Sequence, residues 1–157
     1  MRAQLEKPVI DCPDPRALAA FYARFLGMRV LEDAPDWVVL GRAAGMRELA
    51  FQRAATWVPP EWPDPTHPQQ VHLDIRVDDV DVAEARVLAL GARRAPGSPE
   101  TGYRVFLDPV GHPFCLVYGK SPLADPRIDF DTRTGGGAGP RRHTSGSSPG
   151  RATRSQR

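Results

Sequence analysis

Two stretches of the chain follow one pattern: a short strand, an aspartate, an amphipathic helix stopped by glycine, then further strands. The first, PVIDCPDPRALAAFYARFLGMRV, opens its helix at Asp14 and closes it at Gly27. The second, VHLDIRVDDVDVAEARVLALGARR, opens at Asp79 and closes at Gly91. A duplicated unit of this kind restricts the fold sharply. Two such sheets can curl round one cavity, with equivalent positions of both copies facing inward, so the repeat points to where a site would be.

In the first unit Val9 to Cys12 is strand-like, Asp14 is a good N-cap, and Pro15 suits the first helical position, where no N–H is needed. Leu18, Phe21, Tyr22, Phe25 and Leu26 recur at i, i+3, i+4, i+7 and i+8 and make one apolar face. MRVLE, WVVLG and RELAFQR are three strand-length runs parted by turn residues. The second unit repeats the order. VHLDIRV alternates, with Val71, Leu73, Ile75 and Val77 on one face and His72, Asp74 and Arg76 on the other. The helix from Asp79 offers Val80, Ala83, Val87 and Leu90 as its buried stripe, and ARRAP, GYRVFLD and PFCLVYG supply three more strands. Asp108-Pro109-Val110-Gly111 reads as a type I turn between the last two. The fold class is α+β, two βαβββ modules at about residues 7–53 and 71–118, within one domain of residues 1–120.

Between the modules, residues 54–70 hold five prolines and two tryptophans, which excludes helix and central strand and leaves an extended crossover. Trp57 and Trp62 either lid a pocket or pin this connection to the surface. From Ser121 onward there are six glycines, four prolines and only Leu123, Ile128 and Phe130 as large apolar residues. Such a stretch buries too little to offset its ordering entropy, so residues 121–157 are expected to be a disordered tail. Removing them should leave the thermal transition nearly unchanged; a large loss of stability would contradict this.

Charge and composition narrow the function classes. Residues 1–120 carry 14 basic and 16 acidic side chains, while the tail has seven arginines against three aspartates. The tail's positive charges are scattered and lack interleaved aromatics, so no specific nucleic-acid partner is expected. No apolar run approaches a membrane span, MRAQLEKP lacks the apolar core of a signal peptide, and the two cysteines form no disulfide framework. A cytoplasmic protein with reduced thiols and no membrane partner follows. GGGAG at 135–139 follows no strand and is no phosphate loop, and no serine sits in a nucleophile elbow.

Placing Asp14 over Asp79 sets Lys7 on His72, Val9 on Asp74 and Asp11 on Arg76, while Ile10 falls on Ile75. One face of each first strand is thus apolar and covers its helix; the other is polar, as a ligand cavity requires. Single residues follow from this. His72 reads as a metal ligand or general base, since a histidine's ordinary pKa lies near neutrality, or as an imidazole satisfied by Asp74. Asp74 and Arg76 either anchor a polar ligand group or form an ion pair within the sheet, with Asp11 as a further partner. Trp37 and Tyr103 occupy similar places in the two copies and frame a cavity wall. His112, in a turn, is expected to face solvent.

With these pieces in place the chain resembles the vicinal oxygen chelate superfamily, which includes glyoxalase I, bleomycin-resistance proteins and extradiol dioxygenases. DPRALAAFYARFLG, VHLDIRVDD, LALGA and FLDPVGHPFCLV carry the resemblance, over residues 7 to 119. It implies a glyoxalase/bleomycin-resistance-type domain whose two curved sheets enclose the site, and a homodimer. Metal-using members draw one ligand from the first and one from the last strand of each module, which by position are Lys7, Gln52, His72 and Cys115. Gln52 and His72 are acceptable donors. An ammonium has no lone pair to give, and a lone cysteine in an apolar strand tends to stay a protonated thiol. This broken set favours a pocket that binds a small organic molecule through His72, Asp74, Arg76, Asp11, Gln52, Trp37 and Tyr103, with no cofactor. The alternative is a metal-dependent lyase, isomerase or dioxygenase holding Zn, Ni, Fe or Mn on His72 and Gln52, completed by Asp11 or Asp74.

Overall fold

The computed structural model describes residues 3–119; the expected tail, residues 121–157, lies outside the described residues. The first module runs β1 (Val9–Cys12), α1 (Pro15–Leu26), β2 (Arg29–Ala34), β3 (Trp37–Gly41) and β4 (Leu49–Arg53). The second runs β5 (Leu73–Arg76), α2 (Val80–Ala89), β6 (Arg93–Arg94), β7 (Tyr103–Leu107) and β8 (Pro113–Val117). Each module makes its own four-stranded sheet, ordered β1-β4-β3-β2 and β5-β8-β7-β6. The outer first strand pairs parallel with the last, β1 with β4 and β5 with β8, and the remaining pairs are antiparallel. No helix of the described residues is long and apolar enough to cross a membrane.

Both helices start as the sequence dictates. Oδ1 of Asp14 accepts from the backbone N–H of Arg16 and Ala17, and Oδ1 of Asp79 accepts from Asp81 and Val82. Gly27 ends α1 at φ 67°, the left-handed cap its position demands.

Paired residues share a face. The face bearing Ile10, Phe51, Val38 and Leu40 in the first sheet, and Leu73, Ile75, Phe114, Leu116 and Phe106 in the second, meets the two helices in one continuous core. Helix α1 serves both modules. Phe21 stands edge-on to Phe114 at 6.0 Å between ring centroids, and the Tyr22 hydroxyl donates to Asp108 Oδ2 at 3.0 Å. Arg86 of α2 donates to the Arg24 carbonyl at the end of α1.

Two strands are shorter than the alternation suggests. Strand β5 begins at Leu73, because its neighbour at that end is Pro113, which has no N–H for the ladder. His72 therefore precedes the strand, and Val71, expected on the apolar face, is 73% exposed. ARRAP gives only Arg93–Arg94 before Pro96 and Gly97 turn the chain.

The Asp108 turn forms as read, with Gly111 N–H donating to the Asp108 carbonyl at 3.0 Å. It does more than join two strands. The crossover lies over it: Trp57 Nε1 donates to the Val110 carbonyl at 3.2 Å, and its ring lies 4.6 Å from that of His112. Gly111, at φ 104°, lets Pro59 approach so closely that a Cβ there would sit 2.8 Å from the proline Cβ. His112 is half-buried rather than solvent-facing, and its Nε2 meets the Asp11 carbonyl at 2.7 Å, tying the second module to the first.

Candidate functional site

The faces turned away from the helices carry Asp11, Gln52 and Trp37 on the first sheet and Asp74, Arg76 and Tyr103 on the second, with His72 just ahead of β5. On the first sheet Asp11 pairs with Gln52 and Trp37 pairs with Gln52, so these three share a face. On the second, Asp74 pairs with Cys115, Val105 with Cys115, and Tyr103 with Val117. The pairing register also corrects the positional match between modules. Val9 pairs with Ala50 where Asp74 pairs with Cys115, so the counterpart of Cys115 is Ala50 and that of Gln52 is Val117. Trp37 and Tyr103, paired to Gln52 and Val117, do occupy equivalent places.

The second sheet supports a cavity of about 340 Å³. Val105, Cys115 and Val117 form its floor, Pro113 closes one end, and Trp62 and Tyr103 stand at its walls with His72 and Asp74. Trp62 packs on Ala95, Val105 and Cys115. The two crossover tryptophans thus divide the roles considered for them: Trp57 pins the connection and Trp62 covers a pocket. Inside, His72 Nε2 lies 3.4 Å from Asp74 Oδ1, and one donor atom each of His72, Asp74 and Cys115 all lie within 4.8 Å of one another. Cys115 is nearly buried, at 7% exposure. Burial first, then the Asp74 carboxylate through its charge and a hydrogen bond, push the thiol up to about 11. It is a protonated thiol at neutral pH and no nucleophile.

A second cavity, about 620 Å³, lies where the crossover passes over β1 and the approach to β5. Asp11 and His72 border it with His67, His112, Tyr22 and Trp57. A third, about 550 Å³, is bordered by Arg76 with the end of α1. His72 is shared by the first two cavities, whereas none of the three contains Gln52 or Trp37. A single hollow holding both His72 and Gln52 is therefore not among them.

The remaining expectations resolve individually. Arg76 donates to the Gly119 carbonyl at 3.3 Å and forms no ion pair with Asp74 or Asp11 among the described residues. Trp37 is engaged within its own sheet, its Nε1 donating to Glu32 at 3.2 Å. Lys7 has a side chain only 5% exposed; its ammonium pairs with Glu6 at 2.9 Å and lies 5.8 Å from the Trp37 ring centroid. A cation thus occupies one of the four positions at which the resemblance places metal donors, and a ligand-free alanine matches another by register. Among the described residues, the cluster of His, Cys, Asp or Glu donors that could hold a metal lies in the second module: His72, Asp74 and Cys115. Of these, Asp74 and Cys115 are brought together by strand pairing, a partnership visible in sequence only once the β5–β8 register is known.

A family model described as a glyoxalase-like domain matches residues 7–117. No curated protein matches the chain. Among solved structures, it is similar to a glyoxalase/bleomycin resistance protein/dioxygenase family enzyme from Burkholderia phytofirmans PsJN, at 22% identity over 74% of this chain and 98% of that one, TM-score 0.55. It is similar to the fosfomycin resistance protein FosX from Mesorhizobium loti, at 18% identity over 76% and 95%, TM-score 0.53. It is also similar to the trypanothione-dependent glyoxalase I of Leishmania major, at 20% identity over 74% and 87%, TM-score 0.53. At these identities the likeness is one of fold.

Proposed function

The chain belongs to the glyoxalase-like domain family of the vicinal oxygen chelate superfamily, and from that premise we propose that it is a cytoplasmic protein that binds a small organic molecule without a metal. The observation that carries this reading is the cavity on the second sheet, where an apolar floor meets His72, Asp74 and the rings of Trp62 and Tyr103. A concave apolar site with a few convergent polar groups is what holds and orients a small ligand. The interrupted donor set supports the metal-free form: Lys7 brings a positive charge where a lone pair is needed, and Ala50 brings nothing. The wider group, Arg76, Asp11, Gln52 and Trp37, does not line this cavity and is no part of the site proposed here.

One observation favours a second reading. The His72, Asp74 and Cys115 donors are gathered within 4.8 Å, against roughly 3.5 Å between donors around a tetrahedral zinc with bonds near 2.1 Å. A modest closure would let them hold a borderline-soft divalent ion, which would act as a Lewis acid toward a substrate oxygen. Against it stand the exposure of Asp74, 65%, and the proton that Cys115 must release.

A thermal-shift and calorimetric screen of small organic compounds is expected to find ligands whose binding is lost in His72→Ala and weakened in Trp62→Ala. Neither variant should unfold, because both positions lie outside the main core. Protein purified without chelator should carry far less than one equivalent of metal. Stoichiometric zinc, nickel, iron or manganese, with turnover of hemithioacetals or catechols that stops on chelation, would replace this reading with the second.

A further inference from the structure

The second-sheet cavity has a distinctive charge. Among the residues that line it, Asp74 bears the only acidic side chain, and there is no lysine or arginine. The nearest arginine on the same strand face, Arg76, turns its guanidinium to the Gly119 carbonyl and borders a different cavity. Arg93 pairs with Leu107 on the far strand, away from β5. Two aromatic rings, Trp62 and Tyr103, stand at the walls, and Tyr103 keeps 42% of its surface open to an arriving ligand. Ring faces present negative potential, and a carboxylate beside them adds to it.

We infer that this cavity selects organic cations, an apolar or aromatic body carrying a protonated or quaternary amine, over neutral and anionic molecules of the same shape. The body lies on Val105 and Val117, the cationic head faces Asp74, and Trp62 and Tyr103 flank it. The inference rests on the binding function proposed above and names its ligand class. It sets this chain apart from a site that would receive a phosphonate or carboxylate, for which a cationic lining is the natural partner. Asp74 is exposed, so its attraction is modest, and each ring adds a similar few-fold increment. Together they amount to a preference of about tenfold.

The test uses the full-length protein in the presence of a chelator, so that no metal competes for Asp74, beside which His72 Nε2 stands at 3.4 Å. Benzyltrimethylammonium, benzyl alcohol and benzoate share a ring and differ in charge. Each is titrated while the indole N–H signal of Trp62 and the amide signals of Val105 and Cys115 are followed by NMR. The cation is expected to bind about tenfold more tightly than benzoate, with benzyl alcohol between them, and the gap should narrow as salt is raised. Asp74→Asn should remove most of the cation's advantage over benzoate, a change in the ratio of the two affinities that general loss of structure would not produce. Benzoate binding as tightly as the cation at Trp62 overturns the charge selectivity while leaving the pocket intact. If no probe moves the Trp62, Val105 or Cys115 signals, the inference falls, and the binding function is judged by its broader screen.

Discussion

Phe114→Ala is expected to cost about 4 kcal/mol of stability, the middle of the range for truncating a buried phenylalanine. Phe114 is fully buried and sits where the two modules meet. Its ring stacks on Phe106 at 5.7 Å within its own sheet and reaches across to Phe21, Phe25 and Tyr22 of α1 at 6.0, 6.3 and 6.5 Å between centroids. Strand pairing fixes the backbone beneath it, between Leu73 and Phe106. The surroundings therefore cannot collapse into the space left behind, and the cavity adds to the lost transfer free energy. Because the ring belongs to both modules, denaturant unfolding should remain one transition at a lower midpoint, with no stable half-molecule. Its neighbour supplies the control. Cys115 points to the opposite face, onto the small floor of the ligand cavity, and Cys115→Ala should cost about 1 kcal/mol, near one or two buried methylenes' worth. A loss at Phe114 no larger than at Cys115 would mean that α1 does not hold the second sheet.

That contrast shows what could be read in the sequence. Period-two alternation and the aspartate caps are local signals, decided by residues within one turn or one strand of each other. Hence Asp14, Asp79, Gly27 and the order of elements appear in the structure as the residues dictate. The repeat itself directed attention to the non-helical faces, where His72, Asp74, Arg76 and Tyr103 are found. What failed to show was long-range. The match of Gln52 with Cys115 was two residues off, because a strand's period of two makes such a slip invisible to face assignment. His112 reads as a surface turn residue until the crossover lays Trp57 beside it, 55 positions earlier in the chain. Proline at 113 shortened β5 from the neighbouring strand, an effect absent from the sequence of β5 itself. Asp108 is the extreme case. In sequence it opens a turn, and nothing local marks it as the one fully buried charged residue among those described.

Asp108→Ala should accordingly destabilise the protein by about 4 kcal/mol or more. Asp108 Oδ1 accepts from the backbone N–H groups of Val110, Gly111 and His112 at 3.0, 2.9 and 3.0 Å, while Oδ2 accepts from the buried hydroxyl of Tyr22. Alanine would strand the N–H groups of Val110 and His112 and the Tyr22 hydroxyl, each at about 1–3 kcal/mol where water cannot replace the partner, while the Gly111 N–H keeps the backbone carbonyl of residue 108. Rearrangement of the turn recovers part of that by letting the chain open to solvent. It would also free His112 from Asp11 and Trp57 from Val110, loosening the crossover that carries Trp62, so ligand binding should weaken in parallel. Asp108→Asn keeps the acceptor that serves the turn and should cost less than half as much. The comparison has a pH signature. Burial raises the Asp108 carboxyl above the ordinary aspartate range, against the opposing pull of His112 and of the hydrogen bonds it accepts. A carboxyl with a raised folded-state pKa binds its proton more tightly in the folded chain than in the unfolded one. The stability it supplies is therefore fully present below the unfolded-state pKa, near 3.9, and is lost as pH rises through the higher folded-state value. Asparagine does not titrate, so the advantage of the wild type over Asp108→Asn should be greatest below about pH 4 and shrink as the pH rises toward neutrality. An advantage that grows with pH would instead require a carboxylate stabilised in its charged form, and would show that the three N–H donors outweigh burial at this turn.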